Sequence, residues 1–211
     1  MTDTTVQQQE AEPTPAQVRR GRRTALLLFA IGFGPMIFAT IMYYGGWLHP
    51  ETRSNHGELI EPPVPVAELN LLDADGQPLE SRFGPEVQDA KWQMIVTAET
   101  CGEDCEQLLY LARQVNIALG KNANRIGRSA WIGTVPPDLQ SRWREEYSSM
   151  ERLRLAPDTG HAWPADVDPA VSPRILVVDP FGNVMMHYGS EHTGKEMLED
   201  LKHLMKLSQI G

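Results

Sequence analysis

The apolar positions of the chain follow two regimes. From Thr24 to Trp47 (TALLLFAIGFGPMIFATIMYYGGW) no charge interrupts the run. Its length suits a helix crossing a bilayer, which needs roughly 20 apolar residues. Further along, the apolar positions become periodic. Ala67, Leu69 and Leu71 alternate with polar residues ahead of the turn signal Asp73-Ala74-Asp75-Gly76, and a second short run follows, which predicts a β-hairpin over residues 66–80. Trp92 to Thr97 reads as a buried strand. Leu108, Leu111, Ala112, Val115, Ala118 and Leu119 recur at helical spacing, and Gly120 stops that helix. Arg128 to Val135 reads as a second strand, Arg142 to Arg154 as a candidate helix, and Pro157 to Pro169 as loop. Residues 174–189 read as strand, turn, strand around Asp179-Pro180-Phe181-Gly182-Asn183. A last helix opens with a capping box, Thr193 and Glu196, and carries Met197, Leu198, Leu201, Leu204 and Met205 on one face.

A strand passing into a helix and on to another strand predicts a parallel pair, and the late hairpin adds antiparallel strands. The result is a mixed sheet with helices on its faces, an α/β fold of thioredoxin type. The chain divides into a polar, disordered tail (1–23), a transmembrane helix (24–47), a proline-rich linker (48–65) and the α/β domain (66–211). The Asp-x-Asp-Gly motif at Asp73 lacks the remaining ligands of a calcium loop and reads as a turn.

Charge sets the orientation. Arg19, Arg20, Arg22 and Arg23 precede the apolar run, and no Lys or Arg follows it before Arg53. The positive-inside rule therefore places the N-terminus in the cytoplasm, with Tyr43, Tyr44 and Trp47 as an aromatic belt at the far interface. The run is too long, and too aromatic at its end, for a cleaved signal peptide. In a bacterium the α/β domain is then periplasmic, on a single-pass inner-membrane anchor. With 28 Asp+Glu against 19 Lys+Arg the chain is acidic, which argues against a nucleic-acid partner.

In that compartment thiols can be oxidised, and the chain has two cysteines, Cys101 and Cys105. Cys101 lies where a strand hands over to a helix, and Cys105 one turn later. The unpaired N–H groups and positive dipole of a helix start favour a thiolate. Glu103, Asp104 and Glu106 oppose it and favour a nearby cation. A disulfide, a redox pair and a shared soft metal all remain open from the residues alone.

The hairpin 68-ELNLLDADGQPLE-80, the strand 92-WQMIVTA-98, the C-x3-C of Cys101 and Cys105, and 175-ILVVDPFGNVMMHY-188 together resemble the Sco family of cytochrome oxidase assembly proteins, over roughly residues 66–207. The resemblance implies a thioredoxin fold and copper held by the two cysteines and a histidine ahead of the late hairpin. It implies, as partner, cytochrome c oxidase subunit II or another assembly factor. Cys101 and Cys105 carry over. The histidine does not: its place falls near Val171, beside Ser172-Pro173. By resemblance to thioredoxin-like folds Pro173 becomes a candidate cis-proline facing the cysteines, against an ordinary trans-proline at the start of a strand. His161 is a candidate replacement ligand, and His187 and His192 are weaker ones. Three readings follow: a thiol–disulfide oxidoreductase in oxidase copper-site maturation, a copper(I) chaperone using Cys101 and Cys105, and an assembly scaffold that needs neither thiol.

Overall fold

As far as Tyr44 the uncharged run lies in a single helix, α1 (Pro15–Tyr44), of 30 residues, about 45 Å at 1.5 Å per residue. It starts earlier than expected, so the four arginines ride on its first turns rather than in a disordered tail. The computed structural model describes residues 15–45, 55–157, 163–164 and 167–208, in two units, residues 1–53 and 54–211. Trp47, expected in the aromatic belt, lies outside the described residues. Pro35 sits inside α1, and Thr40 Oγ1 donates to the Met36 carbonyl one turn back. Hardly any α1 side chain is covered by protein, and α1 is the described helix long and apolar enough to cross a membrane.

In the second unit a seven-stranded mixed sheet is built from β1 (Glu58–Pro65), β2 (Leu71–Leu72), β3 (Trp92–Thr100), β4 (Ile126–Thr134), β5 (Glu151–Leu155), β6 (Arg174–Val178) and β7 (Asn183–Tyr188). Their spatial order is β1-β7-β6-β3-β4-β5-β2. β3, β4 and β5 are parallel, and β6, β7 and β1 continue the sheet antiparallel. Helices α2 (Glu103–Ala118), α3 (Pro137–Glu146) and α4 (Gly194–Leu207) complete the fold. Period-two alternation splits the sheet side chains between two cores. Met94, Val96, Ile175, Val177 and Tyr188 meet Leu108, Leu109 and Leu201 of the helices. Ile95, Leu176, Val178 and Val184 meet Val66, Leu69, Leu79 and Phe83 of two short 3-10 turns.

Three local expectations change. The linker expected over 48–65 ends in a strand: Glu58–Pro65 pairs with β7 at the sheet edge. An edge strand bonds on one side alone, so Pro62, Pro63 and Pro65 are tolerated there. The pairing breaks between Leu59 and Val64, where Pro62 and Pro63 sit. The hairpin expected over 66–80 keeps its turn but little of its ladder. Asn70, in the left-handed region, ends a 3-10 turn, and Leu71-Leu72 pairs with β5 instead. Asp73 holds the turn through its Oδ1, which accepts from the N–H groups of Asp75 and Gln77 at 3.0 and 2.8 Å. Its other oxygen accepts from Arg82 at 2.7 Å, and that guanidinium keeps the carboxyl below the usual aspartate range. The candidate helix over Arg142–Arg154 ends at Glu146, and Glu151–Leu155 is strand, because the free edge of β4 supplies partners that no local signal reveals.

Candidate functional site

β3 runs through the middle of the sheet and stops at Thr100, where the chain turns into α2. The Cys101 N–H donates to the Thr134 carbonyl at the end of parallel β4, at 3.2 Å, which fixes the exit from the strand. Gly102 is the N-cap and offers no capping side chain. Cys101 thus precedes the cap, and Cys105 takes the third helical position. Their Cα atoms are 5.1 Å apart and the two sulfurs form a disulfide. The pair of thiols, open to several roles from the residues alone, is a covalent bridge at the positive end of a 16-residue helix.

Both cysteines are buried, at 3% and 1% exposure, within the same apolar cluster as Ala98 and Leu109. Around them Thr100, Gly102, Glu103 and Asp104 are exposed. The bridge is thus covered, while the residues that flank it face solvent. Glu106, next to Cys105, accepts from Arg142 of α3 at 2.8 Å, and Arg142 also contacts Asp138 and Glu146. These carboxylates raise the Arg142 pKa above its ordinary value, the Glu106 hydrogen bond first. Arg142, unseen as a site residue in the sequence, cancels one of the three negative charges that crowd the thiols. Glu106 and Arg142 lie 36 residues apart, and no local pattern links them.

Arg142→Gln is accordingly expected to raise the thiol pKa of the reduced pair, because Glu106 is left uncompensated. Alkylation by iodoacetamide at neutral pH should slow by about 2–3-fold and its pH profile should move upward. An unchanged profile would show that the Arg142 charge does not reach the sulfurs.

Pro173 leads into β6, whose register pairs Arg174 with Thr97, so it lies at the disulfide end of the sheet. Of the two isomers open to Pro173, the structure has the trans one. Among the described residues the cis peptide is Glu61–Pro62, and Ser172–Pro173 is trans. The chain arrives through a tight turn in which the Val171 and Ser172 N–H groups both donate to the Asp168 carbonyl at 3.0 Å, and this turn feeds a trans-proline into the strand start. Val171, in the place that the resemblance assigns to a histidine, is 81% exposed and offers no donor. A three-ligand copper site is therefore not assembled there, whereas two thiolates alone suit copper(I). His161 lies outside the described residues. His187 is buried beside Glu58, its Nε2 3.4 Å from the carboxylate. His192 Nδ1 accepts from the Gly189 N–H at 3.1 Å, and its Nε2 lies 3.1 Å from the His56 carbonyl. Neither ring is brought to the cysteines. No group of three or more His, Cys, Asp or Glu side chains is poised for a metal among the described residues.

The family described as "Transmembrane-like, thioredoxin-like, C-terminal domain" matches residues 92–208, more than half of the chain, and its companion "Transmembrane-like, N-terminal domain" matches residues 15–46. The chain belongs to this transmembrane-like, thioredoxin-like family. No curated protein matches it. Among solved structures, yeast Sco1 is 16% identical with a TM-score of 0.51, over 71% of this chain and 96% of that one. Copper-bound ScoI of Bradyrhizobium japonicum is 18% identical with a TM-score of 0.42, over 67% and 96%. A thiol:disulfide interchange protein from a Bacteroides species is 12% identical with a TM-score of 0.42, over 72% and 91%. The Sco1 likeness is one of fold: this transmembrane-like, thioredoxin-like protein has a Sco-like thioredoxin fold with an N-terminal membrane-type helix.

Proposed function

We propose that the protein is a membrane-anchored thiol–disulfide oxidoreductase of Sco/thioredoxin type. Its α/β domain faces the periplasm of a bacterium and acts in maturing the copper site of a respiratory cytochrome c oxidase. The observation that carries this reading is the Cys101–Cys105 disulfide, which joins a central strand to the first turn of α2. In the reduced protein one thiolate attacks a client disulfide and expels one client thiolate, forming a mixed disulfide. The second cysteine attacks that bond, restores Cys101–Cys105 and releases the client as a dithiol. Two electrons pass from protein to client, and a dithiol donor must return them. Pro173, at the same end of the sheet, belongs to the surface on which the client seats. The inner membrane and oxidase subunit II, or another assembly factor, are the partners of this reading.

The test uses the full chain in detergent, reduced and freed of reductant, mixed with the copper-binding domain of subunit II carrying an oxidised cysteine pair. Stoichiometric appearance of client thiols supports the proposal. Absence of client thiols from the mixture would overturn it.

The meeting of the two sulfurs also favours a second reading, copper(I) carriage on the reduced pair. One copper(I) held by the reduced protein and lost in Cys101→Ser supports it. Full complementation of oxidase assembly by the double serine variant would set both thiol readings aside and leave a scaffold.

A further inference from the structure

The structure carries α1 unbroken from Pro15 through its charged turns, so Arg19, Arg20, Arg22 and Arg23 take fixed places on a helix. At 3.6 residues per turn they share one side of it, an arc of roughly 160°. Arg19 stands at i+3 and i+4 spacing from Arg22 and Arg23, and Arg20 at i+3 spacing from Arg23. Such neighbours have their Cβ atoms about 5–6 Å apart, and like charges there repel. No Asp or Glu occurs in Pro15–Tyr44, and none of these arginines has an ion-pair partner among the described residues. The positive-inside rule uses only their number; their gathering on one side calls for an anion.

The same side continues into the uncharged run as an open groove of about 470 Å³. Ala30 and Gly34 form its floor, since they put the least side chain there. The Phe29 and Phe33 rings, stacked at 4.7 Å between centroids, form one wall, and Phe38 forms the other. By helical position, Ala30 and Gly34 fall within the arc of the arginines. They lie about 9 and 15 Å beyond Thr24, inside the half-thickness of about 15 Å of a bilayer's hydrocarbon core. Cations at the interface above an apolar trough in the same leaflet match one kind of molecule, an acyl chain joined to an anionic headgroup.

We propose that this side of α1 binds an anionic phospholipid, its phosphate held by Arg19, Arg22 and Arg23 and one acyl chain lying over Ala30 and Gly34. A second copy of α1 fits the groove less well, because parallel packing on this side would face two sets of guanidiniums with no counter-ion between them. The inference rests on the membrane anchoring proposed above and on none of the thiol chemistry.

The test reconstitutes the full chain in phosphatidylcholine vesicles and confirms by flotation that it is anchored. Electron paramagnetic resonance then compares the motionally restricted fractions of spin-labelled phosphatidylglycerol and spin-labelled phosphatidylcholine. The anionic label should be favoured at least about fivefold at low salt, the contribution of one arginine at an anionic leaflet, and less so at high salt. The Arg19→Gln, Arg20→Gln, Arg22→Gln, Arg23→Gln variant should lose the preference. Gly34→Leu keeps every charge but fills the groove, and a Cβ at Gly34 meets no atom within 4 Å, so the helix accommodates it. It should shrink the restricted fraction of the anionic label. Equal restriction of the two labels, a preference that survives the Gln variant, or a fraction unmoved by Gly34→Leu would overturn the assignment. So would energy transfer between labelled copies that Gly34→Leu abolishes, which would put a second helix in the groove. A chain that does not float with the vesicles would overturn the anchor and this assignment together, whereas one that floats without lipid preference overturns this assignment alone.

Discussion

Replacing either Cys101 or Cys105 with serine is expected to lower client disulfide reduction by on the order of 10³-fold or more, as when a catalytic nucleophile is removed. The exchange needs one sulfur to attack and another to resolve, and these are the two cysteines of the chain. The two single variants should differ in what they accumulate. The variant without the resolving thiol should trap a mixed disulfide with the client, visible on a non-reducing gel, whereas the variant without the attacker should trap none. That difference assigns the roles, which geometry leaves even: both sulfurs are buried and both sit at the start of α2. Stability is a smaller matter. The bridge closes a loop of five residues, and a chain-entropy estimate gives about 2 kcal/mol for it. A serine hydroxyl in this apolar cluster adds its own cost, so the Cys101→Ala, Cys105→Ala double variant is the proper control for folding. Exchange at the parental rate in either serine variant would remove the disulfide from the mechanism.

Asp200→Ala is expected to destabilise the second unit by about 3–5 kcal/mol, since it strips partners from several buried donors at once. The Asp200 side chain is 2% exposed. Its Oδ2 accepts from the His56 N–H at 2.8 Å, the Gly57 N–H at 2.9 Å and the Tyr188 hydroxyl at 2.9 Å, while Oδ1 lies 3.1 Å from His56 Nδ1. The carboxylate thereby clasps the start of the unit onto α4. Gly57 is glycine because the chain passes close to the Tyr188 ring: a Cβ there would stand 2.6 Å from a ring carbon. A loss of that size should lower the melting temperature by about 10 °C for a domain of this length. Melting within about 2 °C of the parent would show that water replaces the clasp.

Tyr188 supplies the pH signature of the same contact. Burial first, and then the Asp200 charge, raise its hydroxyl pKa well above the ordinary value of 10.0. The fold therefore favours the protonated form. That contribution is complete below pH 10 and is lost as pH climbs above it, because the unfolded chain then gives up the proton more readily. Tyr188→Phe should cost about 1 kcal/mol at neutral pH and flatten the alkaline limb of the stability profile. An alkaline limb as steep as in the parent would place the titrating group elsewhere.

What could be read along the chain was whatever depends on neighbours in sequence. An uncharged run long enough for a bilayer makes α1. Residues at i, i+3 and i+4 place the buried face of α2, and Cys101 and Cys105, four apart at its start, are close enough for the bridge that the structure shows. Thr193 and Glu196 cap α4 by side chain–backbone bonds that both residues complete, with the Thr193 N–H donating to Glu196 at 2.7 Å. Asp179 builds its turn the same way, accepting from the Phe181 and Asn183 N–H groups. What tertiary structure decided are the features whose partners are distant. Glu58–Pro65 and Glu151–Leu155 are strands because β7 and β4 offer free edges, and prolines or arginines in sequence argue otherwise. The trans bond before Pro173 follows from the turn over Asp168, and Arg142 comes beside Glu106 because α3 packs near α2. Local hydrogen bonds and helical spacing are written in adjacent residues; a sheet edge and an ion pair between helices exist only once distant segments have met.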